Sequence, residues 1–242
     1  MKFTSKIITN QIPDLSDADF SEGEIVLIDK PSGPTSFQVV SKIRKITGVK
    51  KVGHSGTLDP KASGLMIICT GKKTKEMDRF INLNKTYTGK IKLGMSSPSM
   101  DTETECTEFP LPNDLDEKKI LEVRDSFLGE IKQIPPMYSA VKVGGKKLYN
   151  LARKGKSIIR EPRNIFIEKF EIDKIQLPDI YFTITCSKGT FIRVIADEFG
   201  KLLNTGGILI ELRRTAIGEF KVEDSFTINS FSNHFSTQLA SD

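Results

Sequence analysis

Short apolar segments separated only by turns constrain the fold of this chain more than any other feature of its sequence. Residues 165–176 and 180–186 have the composition of strands, and only a short turn lies between them. A connection this short joins antiparallel strands, because a parallel crossover needs roughly a dozen residues. Helical segments occur without regular alternation with strands. The sequence therefore predicts an α+β fold with a mixed, mostly antiparallel central sheet flanked by helices and loops.

One helix has clear start and stop signals. Thr35 and Gln38 have the spacing of a capping box, in which each side chain satisfies a backbone N–H of the other residue. Gly48 is typical of a residue that ends a helix. The apolar residues between these signals recur at helical spacing: Val39, Val40, Ile43 and Ile46.

The remaining segments predict a mixture of strands and helices. Buried strands are expected at 25–28 and 65–69, and a half-buried strand at 85–93 with Tyr87, Gly89, Ile91 and Leu93 on one face. A short helix should direct Met77, Phe80 and Ile81 inward. In the second half we expect a polar loop at 95–113, an amphipathic helix at 114–128 with Ile120, Val123, Phe127 and Leu128, strands near 130–134, 139–143 and 208–213, and helices near 146–153 and 190–203.

Composition narrows the class of protein. The 242 residues are 38% hydrophobic and 28% charged, which is typical of a chain that buries a core. No apolar run approaches the roughly 20 residues that cross a bilayer, and the first residues lack an apolar signal segment. Cys69, Cys106 and Cys186 are widely spaced, and His54 and His234 are the two histidines. We therefore expect a cytoplasmic protein with no membrane association, no disulfide framework and no metal site.

The distribution of charge is more informative than its total. The net charge of +5 permits an anionic partner without requiring one. Residues 142–163, called the basic segment below, contain eight lysines and arginines and a single acid, Glu161. A second basic stretch covers residues 42–51. Most charge runs are solvated surfaces, but two such runs on either side of a candidate loop favour a polyphosphate partner.

That loop, residues 53–64, has the sequence Gly-His-Ser-Gly-Thr-Leu-Asp-Pro-Lys-Ala-Ser-Gly. Its glycines permit tight turns, and Pro60 biases Asp59 toward an extended conformation. A carboxylate on a stiffened loop between a helix and a buried strand suits catalysis. The alternative is a turn in which Asp59 bonds only to nearby backbone N–H groups.

Other chemistries fit the sequence poorly. Residues 71–74, Gly-Lys-Lys-Thr, resemble the end of a phosphate-binding loop, but Met66 and Lys73 occupy positions where that pattern needs a glycine and a hydroxyl residue. No second carboxylate flanks Asp59, so the two-acid pattern of glycoside hydrolases is missing from the sequence.

The loop and several further motifs resemble bacterial tRNA pseudouridine-55 synthases, the TruB family. The matching motifs, in order, are Lys30-Pro-Ser-Gly-Pro-Thr-Ser36, Gly53-His-Ser-Gly-Thr-Leu-Asp-Pro60, Lys85-Thr-Tyr87, Gln133-Ile-Pro-Pro-Met-Tyr-Ser-Ala140, Leu148-Tyr149 with Ala152-Arg153, Cys186-Ser-Lys-Gly-Thr-Phe-Ile-Arg193 and Leu212-Arg-Arg-Thr215. They span roughly residues 23–220, and chance recurrence in this order is negligible. The resemblance implies the pseudouridine synthase fold.

The resemblance also implies a reaction. Pseudouridine formation breaks the bond between C1′ of the ribose and N1 of uracil, rotates the base, and joins C1′ to C5. This isomerisation has no redox step and implies no cofactor. Asp59 is implied as the nucleophile, since covalent catalysis splits one hard step into easier ones. Arg193 is implied to pair with that carboxylate and to keep it ionised.

Four further residues are implied to bind the substrate. Tyr87 matches a tyrosine that stacks on the target base, and Leu212 matches an apolar contact of the uracil pocket. Phe191 stands where tyrosine is common in the family, so we expect it to pack only. His54 matches a histidine that fills the gap left when a base is extruded, which offsets part of the unstacking cost. Without the motifs, each would be assigned to the core or the surface.

The resemblance implies a catalytic domain over residues 24–220, after an N-terminal tail or edge segment at 1–23 and before a short C-terminal tail at 221–242. That tail is too short for the small RNA-binding domain found in many relatives. The implied partner is the T-arm of tRNA, the implied target is the T-loop uridine at position 55, and a monomer is expected. The alternatives are a pseudouridine synthase for another RNA, a non-catalytic RNA-binding protein, and a glycosidase-like enzyme, which the missing second acid disfavours.

Overall fold

The computed structural model of the protein describes residues 7–11, 15 and 17–239. The described residues form two units. The first contains those of Met1–Tyr87 and Leu212–Asp242, and the second is Thr88–Glu211. Parts of the predicted segment 1–23 lie outside the described residues. Within that segment, Ile7–Ile8 form a strand that pairs in parallel with the next strand of the chain.

The strands in chain order are β1 (Ile7–Ile8), β2 (Ile25–Lys30), β3 (Val52–His54), β4 (Ser63–Thr70), β5 (Lys85–Leu93), β6 (Met95–Ser96), β7 (Thr107–Glu108), β8 (Gly129–Gln133), β9 (Lys142–Val143), β10 (Lys146–Lys147), β11 (Arg163–Gln176), β12 (Asp179–Cys186), β13 (Gly207–Ile217), β14 (Phe220–Lys221) and β15 (Phe226–Thr227). The helices are α1 (Ser36–Thr47), α2 (Met77–Ile81), α3 (Glu117–Asp125), α4 (Leu148–Ala152), α5 (Ile192–Leu202) and α6 (Ile228–Leu239), with 3₁₀ turns at Gly71–Glu76 and Val222–Asp224.

The first unit is built on the antiparallel pair β2 and β4, which runs from Ile25 opposite Cys69 to Lys30 opposite Gly64. Both strands are apolar on both faces because both faces are covered. One face packs into a cluster formed by Ile25, Leu27, Leu65, Ile67, Cys69, Phe80, Ile217 and Val222. Each such side chain contributes about 1.5–3 kcal/mol when fully buried.

Helix α1 forms as its sequence predicts. The Thr35 hydroxyl accepts the Gln38 N–H at 3.1 Å, and the Gln38 side-chain oxygen accepts the Thr35 N–H at 2.7 Å. Gly48 ends the helix in the left-handed conformation, with φ of 71°. Val39, Val40 and Ile43 are buried. The predicted capping box and stop signal are therefore confirmed.

Residues after Phe220 pack against the first unit. Strand β15 pairs in parallel with β2, with Phe226 opposite Ile28. Phe226 and Phe231 are fully buried and meet edge to face, with ring centroids 5.8 Å apart. Residues 220–239 thus contribute to the core of this unit, while the predicted boundaries at 24–220 stay a prediction.

The second unit contains the long antiparallel pair β11 and β12, and β8 pairs antiparallel on the other side of β11. An aromatic cluster joins this sheet to α5 and to Phe127, which follows α3. Phe170 lies about 6 Å from three other rings, with centroid distances of 6.1 Å to Phe127, 5.8 Å to Phe182 and 6.0 Å to Phe199.

The predicted fold class is confirmed. Antiparallel pairs outnumber the parallel pairs β1–β2, β4–β13 and β2–β15 among the described strands, and helices flank them. Three local predictions were wrong. Residues 95–113 include the paired strands β6 and β7, the strand expected at 139–143 is only Lys142–Val143, and Leu128 is 44% exposed because α3 already ends at Asp125.

Candidate active site

Asp59 lies on the loop that joins β3 to β4 in the first unit. Strand β3 pairs antiparallel with β4, with His54 opposite Ile68. The ladder continues one step further, because the Ser55 N–H donates to the Ile67 carbonyl at 3.0 Å. The loop leaves the sheet only after Ser55, so its start is fixed by the strand.

The backbone on each side of Asp59 is held by residues of the motif Lys30–Ser36. The Ser36 hydroxyl donates to the Leu58 carbonyl at 3.0 Å and accepts the Leu58 N–H at 2.8 Å. On the other side, the Pro60 carbonyl accepts the Gly33 N–H at 2.8 Å. Asp59 is half-buried between these two fixed residues. The first motif therefore determines where this carboxylate lies.

Lys30 fastens the same loop from inside the protein. It is 0% exposed, and its Nζ donates to the carbonyl oxygens of Pro31, Pro60 and Ala62 at 3.0, 3.1 and 2.5 Å. Burial lowers the pKa of Lys30 to about 8, and the positive charge of Arg214 acts in the same direction. The carboxylate of Asp59 opposes this shift, so the two side chains are close enough to interact.

Arg214 on β13 supports the loop from the neighbouring strand. It is 1% exposed, and it donates to the Leu65 carbonyl at 2.7 Å and to the Gly56 carbonyl at 3.1 Å. Its backbone passes so close to Gly64 that a Cβ there would lie 2.2 Å from the Arg214 oxygen. Gly64 also has φ of 110°, which favours glycine. This close approach explains the glycine at the end of the loop.

His54 is the last residue of β3 and lies at the entrance to the same loop. Its Nδ1 accepts the Gly56 N–H at 3.2 Å, which places the proton of the neutral ring on Nε2. Burial, followed by the charge of Arg214, lowers the pKa of His54 below 6.5. His54 is therefore a half-buried ring whose neutral form is favoured at neutral pH.

Tyr87 and Leu212 lie in the first unit, on the parts of the neighbouring strands β5 and β13 that belong to it. Tyr87 is buried on the face that Ile91 and Leu93 continue, as the alternation in 85–93 predicts. Leu212 is half-buried. The first unit thus contains four of the six predicted site residues, two of them on the loop and two on these strands.

Phe191 and Arg193 lie together at the start of α5 in the second unit. Arg193 is buried, and its Nη1 lies 3.3 Å from Oδ2 of Asp101. The other oxygen of Asp101 accepts the Glu103 N–H at 2.8 Å, which fixes that carboxylate. The predicted pairing of Arg193 with Asp59 stays a prediction, because the two residues belong to different units.

Several residues around the site were not predicted individually. Lys30, Ser36 and Arg214 stand within motifs that the sequence makes conspicuous, but their contacts cross long stretches of chain. Asp101 lies in a segment expected to be a plain loop. Within residues 7–11, 15 and 17–239, no group of three or more His, Cys, Asp or Glu side chains could hold a metal ion. None of the helices in this part has the length and apolar character that a membrane crossing needs.

The sequence profile described as "TruB family pseudouridylate synthase (N terminal domain)" matches residues 44–192. The chain belongs to this family. It is 49% identical to tRNA pseudouridine synthase B of Chlorobaculum tepidum over 214 residues, which cover 86% of this chain and 89% of that protein. The protein of the same name from Flavobacterium johnsoniae is 45% identical over 221 residues, with coverages of 88% and 96%. The resemblance inferred from the motifs is confirmed.

Solved structures place this TruB-family chain in the pseudouridine synthase fold. A chain of a Cbf5-Nop10-Gar1 complex superposes with a TM-score of 0.70 and 31% identity, covering 90% of this chain and 56% of that chain. A chain of an H/ACA RNP bound to a substrate RNA containing 2′-deoxyuridine superposes with a TM-score of 0.69 and 27% identity, with coverages of 92% and 56%. This chain therefore spans little more than half of those longer chains.

Proposed function

We propose that this TruB-family enzyme converts uridine 55 in the T-loop of tRNA to pseudouridine, with Asp59 as the nucleophile. The observation that most supports this is the rigid support of Asp59, since Ser36 holds the residue before it and Gly33 and Lys30 hold the residue after it. The relatives of high identity named tRNA pseudouridine synthase B support tRNA as the substrate.

The chemistry fits a single nucleophilic carboxylate. The reaction breaks the C1′–N1 bond, and Asp59 attacks either C1′ or the uracil ring while the base turns. A C1′–C5 bond then forms, the bond to Asp59 breaks and restores its carboxylate, C5 loses its proton, and N1 gains one. Substrate and product are isomers, so the electrons balance without an oxidant. A carboxylate that is already held in place increases the rate, because it needs no further ordering to reach the transition state.

The other predicted residues have separate roles. Tyr87 stacks on the uracil and lies where the C5 proton leaves. Leu212 supplies an apolar contact to the base, and Phe191 has a packing role only. Arg193 holds the nucleophile in its ionised form. His54 stacks in the gap that the extruded uridine leaves, and its neutral state avoids the cost of burying a charge there.

The basic segment supports binding of a folded RNA. Among the cations of this segment whose side chains the structure describes, the exposed ones are Lys142, Arg153, Lys154, Lys156 and Arg163. Arg153 also lies over the ring of Tyr149, 4.9 Å from its centroid. If all five cations contact phosphates, log Kd against log salt should have a slope of roughly 4. The triple variant Arg153→Gln, Lys154→Gln, Lys156→Gln should lower that slope by about 2–3, whereas the exposed Lys118→Gln in α3 should leave it nearly unchanged.

The test of substrate and site uses an unmodified T-arm RNA and the same RNA with cytidine at position 55. Pseudouridine is mapped at every uridine by chemical labelling after incubation with the full chain. We expect one modified position, uridine 55, in the first RNA and none in the second. Conversion of a different uridine would contradict the proposed target, and binding without conversion of any uridine would favour a non-catalytic RNA-binding protein.

A further inference from the structure

Gln133 is a buried polar residue that lies neither in a turn nor on the surface. It is the last residue of β8 and is 1% exposed. A buried amide group is stable only when its donor and acceptor are both satisfied. Both are satisfied by the backbone of one residue, Phe191: Gln133 Nε2 donates to the Phe191 carbonyl at 3.2 Å, and Gln133 Oε1 accepts the Phe191 N–H at 2.8 Å.

Phe191 is the N-cap residue of α5 and stands directly before its first helical residue. Its carbonyl accepts the N–H groups of Val194 and Ile195 at 3.1 and 3.3 Å, which start the helix. Most helices are held at this position by a hydroxyl, amide or carboxylate side chain of the first residue. A phenyl ring cannot provide this contact, and the amide of Gln133 on β8 instead fixes the backbone N–H and carbonyl of Phe191 itself.

The position of α5 matters because Arg193 is in its first turn. Arg193 is buried, and its Nη1 donates to Oδ2 of Asp101 at 3.3 Å, a distance at the long end of hydrogen-bond geometry. A helix is rigid over one turn, so any movement of the Phe191 backbone also displaces the Arg193 guanidinium. The two bonds from Gln133 oppose both rotation and translation of that turn.

Gln133 also lies where the basic segment joins the sheet. In the ladder between β8 and β11 it stands opposite Arg163, the last residue of the basic segment. Gln133 therefore connects the end of that segment, through its backbone, to the start of α5, through its side chain. All of these contacts lie within the second unit.

We propose that Gln133 is a positioning residue for the isomerase, which acts through the Phe191 backbone to hold Arg193 in its working orientation. This inference rests on the proposed function, in which Arg193 keeps the nucleophile ionised. Gln133 does not contact the reacting atoms. Its effect should therefore appear in the chemical step and much less in RNA affinity.

The test compares three full-length variants by single-turnover conversion of T-arm RNA and by RNA affinity. Gln133→Met removes both bonds at similar volume, and Gln133→Glu keeps only the acceptor. Ile180→Val is a matched control, because Ile180 is fully buried in the same unit but stands opposite Ile175, at the other end of β11 from Arg163 and Gln133. Rates are divided by the folded fraction of each preparation, so that loss of folded protein is not counted as loss of catalysis.

We expect Gln133→Met to lower the single-turnover rate about 10- to 100-fold with less than about a threefold change in Kd, since small misplacements of catalytic groups cost this much. Gln133→Glu should lie between Gln133→Met and wild type, and Ile180→Val should match wild type. An unchanged rate in Gln133→Met, or a loss equal to that of the control, would overturn the inference.

Amide hydrogen exchange gives a second readout that does not depend on activity. Exchange in the peptide around Phe191 should be faster in Gln133→Glu and Gln133→Met than in wild type, and unchanged exchange would also overturn the inference. If wild type fails to convert the RNA, the proposed function is wrong. The exchange result then still decides whether Gln133 holds α5.

Discussion

Replacing Ser36 with alanine should destabilise the fold and slow the reaction, because one hydroxyl holds the backbone just before Asp59. The Ser36 hydroxyl makes two hydrogen bonds, at 3.0 Å to the Leu58 carbonyl and at 2.8 Å from the Leu58 N–H. Ser36 and Leu58 are 2% and 3% exposed, so water cannot easily replace the lost partner. Alanine would leave two buried backbone groups unsatisfied.

The magnitude follows from these two groups. A buried backbone donor or acceptor without a partner costs about 1–3 kcal/mol, so the loss of two such bonds in Ser36→Ala should lower the free energy of unfolding by about 2–6 kcal/mol. The loop would also gain freedom next to the carboxylate. A displacement of about 1 Å at a reacting group can cost 100-fold in rate, so we expect a loss of at least about 10-fold in single turnover.

Ser32→Ala is a matched control within the same motif. The Ser32 hydroxyl also bonds to this loop, donating to the Lys61 carbonyl at 2.9 Å, but it is exposed to water. Its loss should cost no more than about 0.5 kcal/mol, because solvent takes over the carbonyl. Urea denaturation and single-turnover conversion of T-arm RNA measure both effects. Equal losses in the two variants would refute the argument that burial at Leu58 sets the position of Asp59.

Three further changes test other contacts. Gly64→Ala should cost about 3 kcal/mol or more in urea denaturation, since its methyl would meet the neighbouring strand at 2.2 Å, whereas Gly129→Ala, with positive φ but open space among the described residues, should cost about 1–2 kcal/mol. The lowered pKa of His54 means that the folded chain binds this proton less readily than the unfolded chain, so stability should fall as pH drops below 6.5, and His54→Asn should reduce that slope. Asp101→Asn should slow conversion about 10-fold with little change in RNA affinity, because it removes the charge that orients Arg193, and the exposed Asp125→Asn should have no effect.

The elements predicted most accurately are those with strong local signals. Strand β5 has the predicted bounds of 85–93, and α1 starts and ends at its predicted cap and glycine. The short strands β6 and β7 were missed because their two-residue pairing depends on contacts across a polar stretch. The packing of residues 226–239 could not be predicted either, because Phe226 and Phe231 are buried against strands that are distant in the sequence.

The candidate site likewise combines features that the sequence predicts with features that depend on distant contacts. The motifs point to Asp59, and the glycines and proline around it predict a stiff loop. What makes the loop rigid could not be predicted, because Lys30, Ser36 and Arg214 reach it across 22 to 158 positions of sequence. The hydrogen bonds between Gln133 and Phe191, 58 positions apart, depend on the packing of the second unit in the same way.

The most direct test of the central claim is the release of the C5 hydrogen from T-arm RNA labelled with tritium at C5 of uridine, in a single turnover. Wild type is compared with Asp59→Asn, which keeps the size of the side chain but removes its charge, and with the exposed Asp78→Asn as a control. RNA affinity is measured for all three. We predict release by wild type and Asp78→Asn and none above background by Asp59→Asn, with similar affinities. Release by Asp59→Asn at the wild-type rate would contradict the assignment of Asp59 as the nucleophile.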